Sequence, residues 1–283
     1  MKRVAVVSGA GGSMGAACSA ALADTFDTLL LTDRDADAVQ RTARALGDRC
    51  DIVVGDIAAP GFADDLAARA ADLGAVHALV HTAGLSPTMA AWPEILAVDL
   101  VATARLVQAF EPVVAPGGVA VCLASVSAHM GTFDTRVDRV LDDPLAPDIA
   151  ERFAAAHDDV PDPGNTYRLA KRGVVRLCER AAPAWGRRGA RIVSVSPGLV
   201  DTTMGRRELE LQPIKTWLAE ITPVGGGRNP DTVLPGLVDD IAATVAFLCS
   251  DAAAFVSGCD IRVDGGLLAA LHEAVPTDNE ESS

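Results

Sequence analysis

The chain has 283 residues, 49% of them hydrophobic, with a formal net charge of −14. That length and apolar fraction suit one α/β domain with a sizeable core. The negative charge, with no basic stripe, argues against nucleic acid as a partner. No apolar run approaches the ~20 residues of a membrane span, so a cytoplasmic protein with no membrane partner is expected.

Residues 4–7 are too short for a signal-peptide core and read as a first strand. Ser8-Gly9-Ala10-Gly11-Gly12-Ser13-Met14-Gly15 follows and opens into a helix predicted over 14–23. Glycines between a strand and a helix let the backbone approach a pyrophosphate, and the helix N-terminus offers unpaired N–H donors. After a second strand at 28–31 comes Asp33, at the spacing where a dinucleotide fold puts an acid on the ribose hydroxyls. A carboxylate there repels a 2′-phosphate and favours NAD, whereas the adjacent Arg34 could hold that phosphate and favour NADP.

Further strands are predicted at 52–54, 78–80, 119–123, 191–195 and 260–263, and further helices at 36–46, 63–73 and 93–114. Strands alternating with helices predict a doubly wound, Rossmann-type parallel sheet, a single domain over 1–275. The stretch 128–165, rich in Asp, Pro and Ala, reads as an ordered insertion with helical character at 147–157. Between 204 and 221, Met204, Leu209, Leu211, Ile214, Trp217, Leu218 and Ile221 recur at roughly helical spacing and predict one apolar face within a segment at 203–235, which seals a core as readily as it meets a ligand. The acidic tail 276–283 is expected to fray. Six scattered cysteines without a Cys-x-x-Cys pair read as small buried hydrophobes in a reducing compartment. Five histidines show no metal-ligand spacing, so no metal is expected.

Tyr167, the only tyrosine, stands four residues before Lys171. On a helix the two share a face, and a neighbouring cation lowers a phenol pKa from its usual ~10. The pair is then an acid/base unit for an alcohol proton, or equally a core tyrosine beside a surface lysine.

The order of these segments decides between the two, because the chain resembles the short-chain dehydrogenase/reductase family over residues 4–267. The family's Thr-Gly-x-x-x-Gly-x-Gly loop is matched by Ser8 through Gly15, with Gly9 and Gly15 in place, Ser13 at the middle glycine and Gly12 one position early. Asp56-Ile57 is similar to the pair that holds adenine, and His81-Thr82-Ala83-Gly84 to Asn-Asn-Ala-Gly, keeping Ala83 and Gly84. Gly118 through Ser125 is similar to the strand ending in the family's catalytic serine, with Ser127 a second candidate. Tyr167 through Lys171 matches Tyr-x-x-x-Lys. Pro197-Gly198-Leu199-Val200-Asp201-Thr202 is similar to the segment that binds the nicotinamide carboxamide, and 255–266 to the C-terminal strand and its flanks. Each motif is weak alone, but their order at strand ends is consistent with one fold.

The resemblance implies an NAD-dependent enzyme interconverting a secondary alcohol and a ketone. It implies cofactor contacts from Gly9, Gly12, Ser13, Met14, Gly15, Asp33, Arg34, Asp56, Ile57, Ala83, Gly84, Tyr167, Lys171, Pro197, Gly198, Val200 and Thr202. Tyr167 as phenolate would take the alcohol proton, Lys171 would stabilise it and bind the nicotinamide ribose, and Ser125 would donate to the substrate oxygen. Asp99 stands where the family has an asparagine that holds a proton relay, and could pair with Lys171. The long Ser125–Tyr167 gap resembles a subgroup that includes 3α-hydroxysteroid dehydrogenase/carbonyl reductases, which implies an apolar or cyclic, steroid- or terpenoid-like small molecule. A homo-oligomer, dimer or tetramer, is implied through the helix at 93–114 and the Tyr167 helix. The alternatives are an NADP-dependent carbonyl reductase and a non-catalytic dinucleotide-binding sensor.

Overall fold

The computed structural model describes residues 1–225 and 232–274. Seven strands, β1 (Arg3–Ser8), β2 (Thr28–Asp33), β3 (Cys50–Val54), β4 (Ala75–His81), β5 (Val114–Leu123), β6 (Arg191–Pro197) and β7 (Asp260–Val263), form one parallel sheet in the order β3-β2-β1-β4-β5-β6-β7. The order reverses between β1 and β4, which opens a crevice at the carboxyl ends of those strands.

Alternation along each strand divides the core between the two faces of the sheet. Val4 and Val6 of β1, Leu79 of β4 and Ala120 of β5 pack against α3 (Phe62–Leu73), α4 (Trp92–Leu96), α5 (Thr103–Phe110) and α8 (Pro163–Arg187). Ala5, Val7, Val80 and Val121 face α1 (Ser13–Leu22), α2 (Ala36–Leu46) and α11 (Val238–Leu248). All six cysteines are free, and Cys18, Cys122, Cys178 and Cys249 are buried in these layers. Among the described residues no helix is long and apolar enough to cross a membrane.

The helix predicted over 93–114 is shorter and less regular than expected. α4 and α5 are joined by a π-turn at Ala97–Ala102, and the helix stops at Phe110, since Pro112 has no N–H to extend the ladder beyond Glu111. Residues from Val114 onward belong to β5. The apolar segment at 204–221 is likewise two helices, α9 (Thr203–Leu211) and α10 (Ile214–Ile221). Gln212 is extended ahead of Pro213, so the expected single face is broken and Leu211 and Ile214 are exposed.

The insertion is ordered. It carries α7 (Ile149–Ala155), near the expected helix, and α6 (Thr135–Leu141), which the sequence reading missed. Val137, Val140, Leu141, Ile149 and Phe153 cover Leu96, Leu100, Leu169 and Ala170. Asp138 accepts two hydrogen bonds from Arg172 (2.7 and 2.8 Å), and Asp142 two from Arg176 (2.7 and 2.7 Å), which latches the insertion to α8. Of the expected segment at 203–235, residues 226–231 lie outside the described residues, as does the tail. The last helix, α12 (Leu267–Ala274), packs under α10.

Candidate active site

A cavity of about 510 Å³ lies at the crevice between β1 and β4, lined by Gly9, Gly12, Ser13, Met14, Gly15, Asp33, Arg34, Asp56, Ile57, Ala83, Gly84 and Thr202. Gly9 adopts a φ of 73°, and a Cβ on Gly15 would come within 2.0 Å of the Gly9 carbonyl oxygen. Glycine is therefore required at both positions for the loop to close onto α1. Gly12 caps α1 without a side-chain bond, so the amides of the first turn face the cavity, as an anion requires. Asp33 is held rigid: Oδ2 accepts from the Gly11 N–H (2.9 Å) and Oδ1 from the Asp35 N–H (3.0 Å). Loop, dipole and anchored acid together fit a dinucleotide.

A second cavity, about 90 Å³, adjoins the first through the shared residues Met14, Thr202 and Met204. Ser125, Tyr167, Pro197, Gly198 and Val200 line it. Ser125 Oγ accepts from Ser127 N–H (3.2 Å) and from Ser127 Oγ (3.0 Å), and Ser127 lines the same cavity. Ser125 and Tyr167 share this cavity wall, and the Ser125 hydroxyl favours ionisation of the phenol.

Tyr167 and Lys171 sit on the first turns of α8, which starts where Pro163 provides N1 and Asp162 accepts from the Asn165 N–H at 2.9 Å. Lys171 is buried, and its Nζ stands 5.7 Å from the Tyr167 ring centre. It donates to the Leu123 carbonyl (3.1 Å) and faces Asp99 Oδ2 at 3.6 Å. Asp99 is fully buried on the π-turn, where its Oδ1 accepts from the Leu85 N–H (2.7 Å). Oδ2 has no hydrogen-bond partner, so Lys171 is what offsets its charge. Burial pushes the Asp99 carboxyl up, and the Lys171 ammonium pulls against it. Lys171 and Asp99 thus lie behind the cavity walls, not on them.

In this protein the pull of Lys171 on the Tyr167 phenol meets opposing influences. Burial pushes the phenol well above its ordinary value, and the negative charges of Glu208 and Asp99 push the same way; the Ser125 hydrogen bond acts against them. Lys171 is shared with Asp99, which weakens its hold on the phenol.

His81, at the place of an asparagine in the resembling motif, is also buried. The Thr103 hydroxyl donates to the Asp99 carbonyl (2.9 Å), so its oxygen accepts from His81 Nε2 (2.9 Å), and Nδ1 accepts from the Ser8 hydroxyl (2.6 Å). Burial, then the Lys171 charge, pushes His81 down to about 3, which keeps the ring neutral. The network ties β1, β4 and α5 beneath the crevice.

Sequence reasoning missed Gly11, Arg41 and Arg207 of the first cavity and Glu208 and Lys215 of the second. Gly11 left a signal within the glycine loop, and Arg207, Glu208 and Lys215 did so as charges inside a segment of apolar spacing. Among the described residues no group of His, Cys, Asp or Glu could hold a metal.

Fold and site together define an oxidoreductase that binds a nicotinamide dinucleotide. A family model described as enoyl-(acyl carrier protein) reductase matches residues 9–137 and 150–268, interrupted only within the insertion. The chain is 31% identical to the D-threitol dehydrogenase of Mycolicibacterium smegmatis over 93% of this chain and 92% of that one. It is 30% identical to the galactitol 2-dehydrogenase (L-tagatose-forming) of Cereibacter sphaeroides over 93% of each. A short-chain dehydrogenase/reductase structure (glucose/ribitol dehydrogenase) from Brucella melitensis superposes with a TM-score of 0.73 at 24% identity, covering 94% of this chain and 96% of that one. The chain belongs to the short-chain dehydrogenase/reductase family.

Proposed function

We propose that this enzyme interconverts a secondary alcohol and its ketone with NAD as the hydride carrier. The observation that carries the proposal is that Ser125 and Tyr167 line one cavity, backed by Lys171, where that cavity adjoins the dinucleotide cleft. What a bound nicotinamide dinucleotide supplies is acceptance or donation of hydride at the carbinol carbon. Ser125 donates to the substrate oxygen and orients it. Tyr167 takes the hydroxyl proton in oxidation and returns it to the ketone oxygen in reduction. Lys171 supplies the positive field behind the phenol. A phenol pushed above its ordinary range stays protonated at neutral pH and so holds the proton that reduction requires, while oxidation gains rate as pH rises.

The preference for NAD rests on Asp33, whose anchored carboxylate cannot turn away from a ribose 2′-phosphate. The competing reading, NADP, rests on Arg34 and Arg41, which line the same cavity. Two relatives carry names of polyol dehydrogenases, and oxidation of a secondary alcohol is the chemistry proposed here in common with them. The apolar wall of Val126, Met130, Leu218 and Leu234 supports a carbon skeleton packed against it. A screen of secondary alcohols, from polyols to hydroxysteroids, with NADH absorbance as readout tests the proposal; no NADH from any of them would overturn it.

A further inference from the structure

The cavity beside Tyr167 holds two charges that the chemistry above leaves unused. Glu208, on α9, is 9% exposed, and its Oε2 lies 3.2 Å from Nζ of Lys215, in the first turn of α10. Both side chains line the same cavity as Ser125 and Tyr167 and are, among the described residues, the only charged groups in its lining, beside Val126, Met130, Leu218 and Leu234. Taking an ion pair out of water there carries a desolvation cost that packed apolar residues would avoid. It also works against oxidation, since the Glu208 charge opposes ionisation of the phenol. Nor is the pair needed to join the helices: the chain links α9 to α10 through Gln212 and Pro213, and α10 is seated on α12 through Leu218.

We propose that Glu208 and Lys215 form the polar end of the substrate site and select an uncharged polyhydroxylated alcohol, one with a second hydroxyl close to the hydroxyl that reacts. The inference rests on the alcohol–ketone chemistry proposed above. A hydroxyl is the group that satisfies both partners, donating to the carboxylate while accepting from the ammonium. A hydroxy acid would meet the Glu208 charge and an amino alcohol the Lys215 charge. A sterol or terpenol would cover the pair with hydrocarbon and strip the water from its remaining donors and acceptors. The modest cavity favours a short chain over a ring system. The apolar wall then packs against carbon while the pair reads oxygen.

The test compares kcat/KM of the full-length enzyme with NAD on four- to six-carbon alditols, on 2-butanol and cyclohexanol, and on a short hydroxy acid. The best alditol is expected to exceed the mono-alcohols at least ~10²-fold, because a site built for a hydroxyl rejects an analogue lacking it. Glu208→Leu combined with Lys215→Met removes both charges at similar size and should cut that ratio at least ~10-fold. Calorimetric titration of the alditol into the NADH complex should lose its heat in the same variant. Should the double variant fail to fold, Lys215→Met alone, nearer the rim, should lower the ratio. Equal kcat/KM for alditols and mono-alcohols, a preference for the hydroxy acid, or a ratio indifferent to the substitutions overturns the inference and leaves the dehydrogenase chemistry standing. Retained NADH binding with no turnover of any alcohol overturns both.

Discussion

Asp99→Asn isolates the charge that sits behind the proton-transfer residue. The amide can still accept from the Leu85 N–H and keeps the backbone carbonyl that Thr103 uses, so one negative charge is the main thing lost. That charge is 3.6 Å from Lys171 Nζ, which is 5.7 Å from the Tyr167 ring centre. The carboxylate therefore lies within roughly 9 Å of the ring, where a unit charge at an effective dielectric of ~20 is worth about 2 kcal/mol, a little over one pKa unit. Asp99 raises the phenol pKa, so its neutralisation lowers it. Alcohol oxidation needs the phenolate, and its rate climbs with pH toward that pKa. The midpoint of the kcat–pH profile for oxidation should move down by about one unit in Asp99→Asn, with the reduction profile losing rate from the same lower pH. Thermal unfolding measured alongside should show a loss of up to ~3 kcal/mol, because Lys171 is left buried without its counter-ion. A midpoint that stays in place or rises would mean that Asp99 is a neutral acid in the resting enzyme and that its field plays no part.

Fluorescence titration should show NADH binding tighter than NADPH, with Asp33→Ala narrowing the gap; tighter NADPH in the wild type would reassign the cofactor. Asp138→Asn should cost about 1–3 kcal/mol at neutral pH, since it removes the charge and one of the two oxygens that accept from Arg172. The Arg172 contact holds the Asp138 carboxyl below its ordinary value, so its stabilisation is present above the unfolded pKa and lost as pH falls through the folded one. Denaturant midpoints of wild type and variant should accordingly converge in acid, and a constant gap down to pH ~2 would refute the role of that charge. A dimer or tetramer is expected by light scattering at micromolar concentration. A monomer would indicate that α6 and α7, which cover part of the face formed by α4 and α8, have displaced a partner.

The sheet was legible because each strand announces itself locally, as an apolar run closed by glycine or a polar residue. The dinucleotide cleft was legible for a related reason: Gly9, Gly15 and Asp33 are demanded by backbone geometry and by spacing within one β-α-β unit. Distant pairings were not. Pro213 marks the break in the segment, but nothing near it says that the second helix carries Lys215 back onto Glu208, and nothing near Asp99 marks a π-turn. The surroundings of the phenol were hidden for the same reason. The i, i+4 rule sees Lys171, but the enclosing walls and the two carboxylates arrive from α9 and the π-turn. The insertion's α6 is short, and its stability comes from Arg172 and Arg176 on α8, which local periodicity does not register.

Tyr167→Phe tests the central claim most directly. The change removes one oxygen from the only tyrosine and leaves the ring in its packing against the core. Turnover of any alcohol the wild type accepts should fall by at least ~10²–10⁴-fold while NADH affinity by fluorescence titration stays nearly intact. Near-native turnover in the phenylalanine variant would contradict the proposed mechanism.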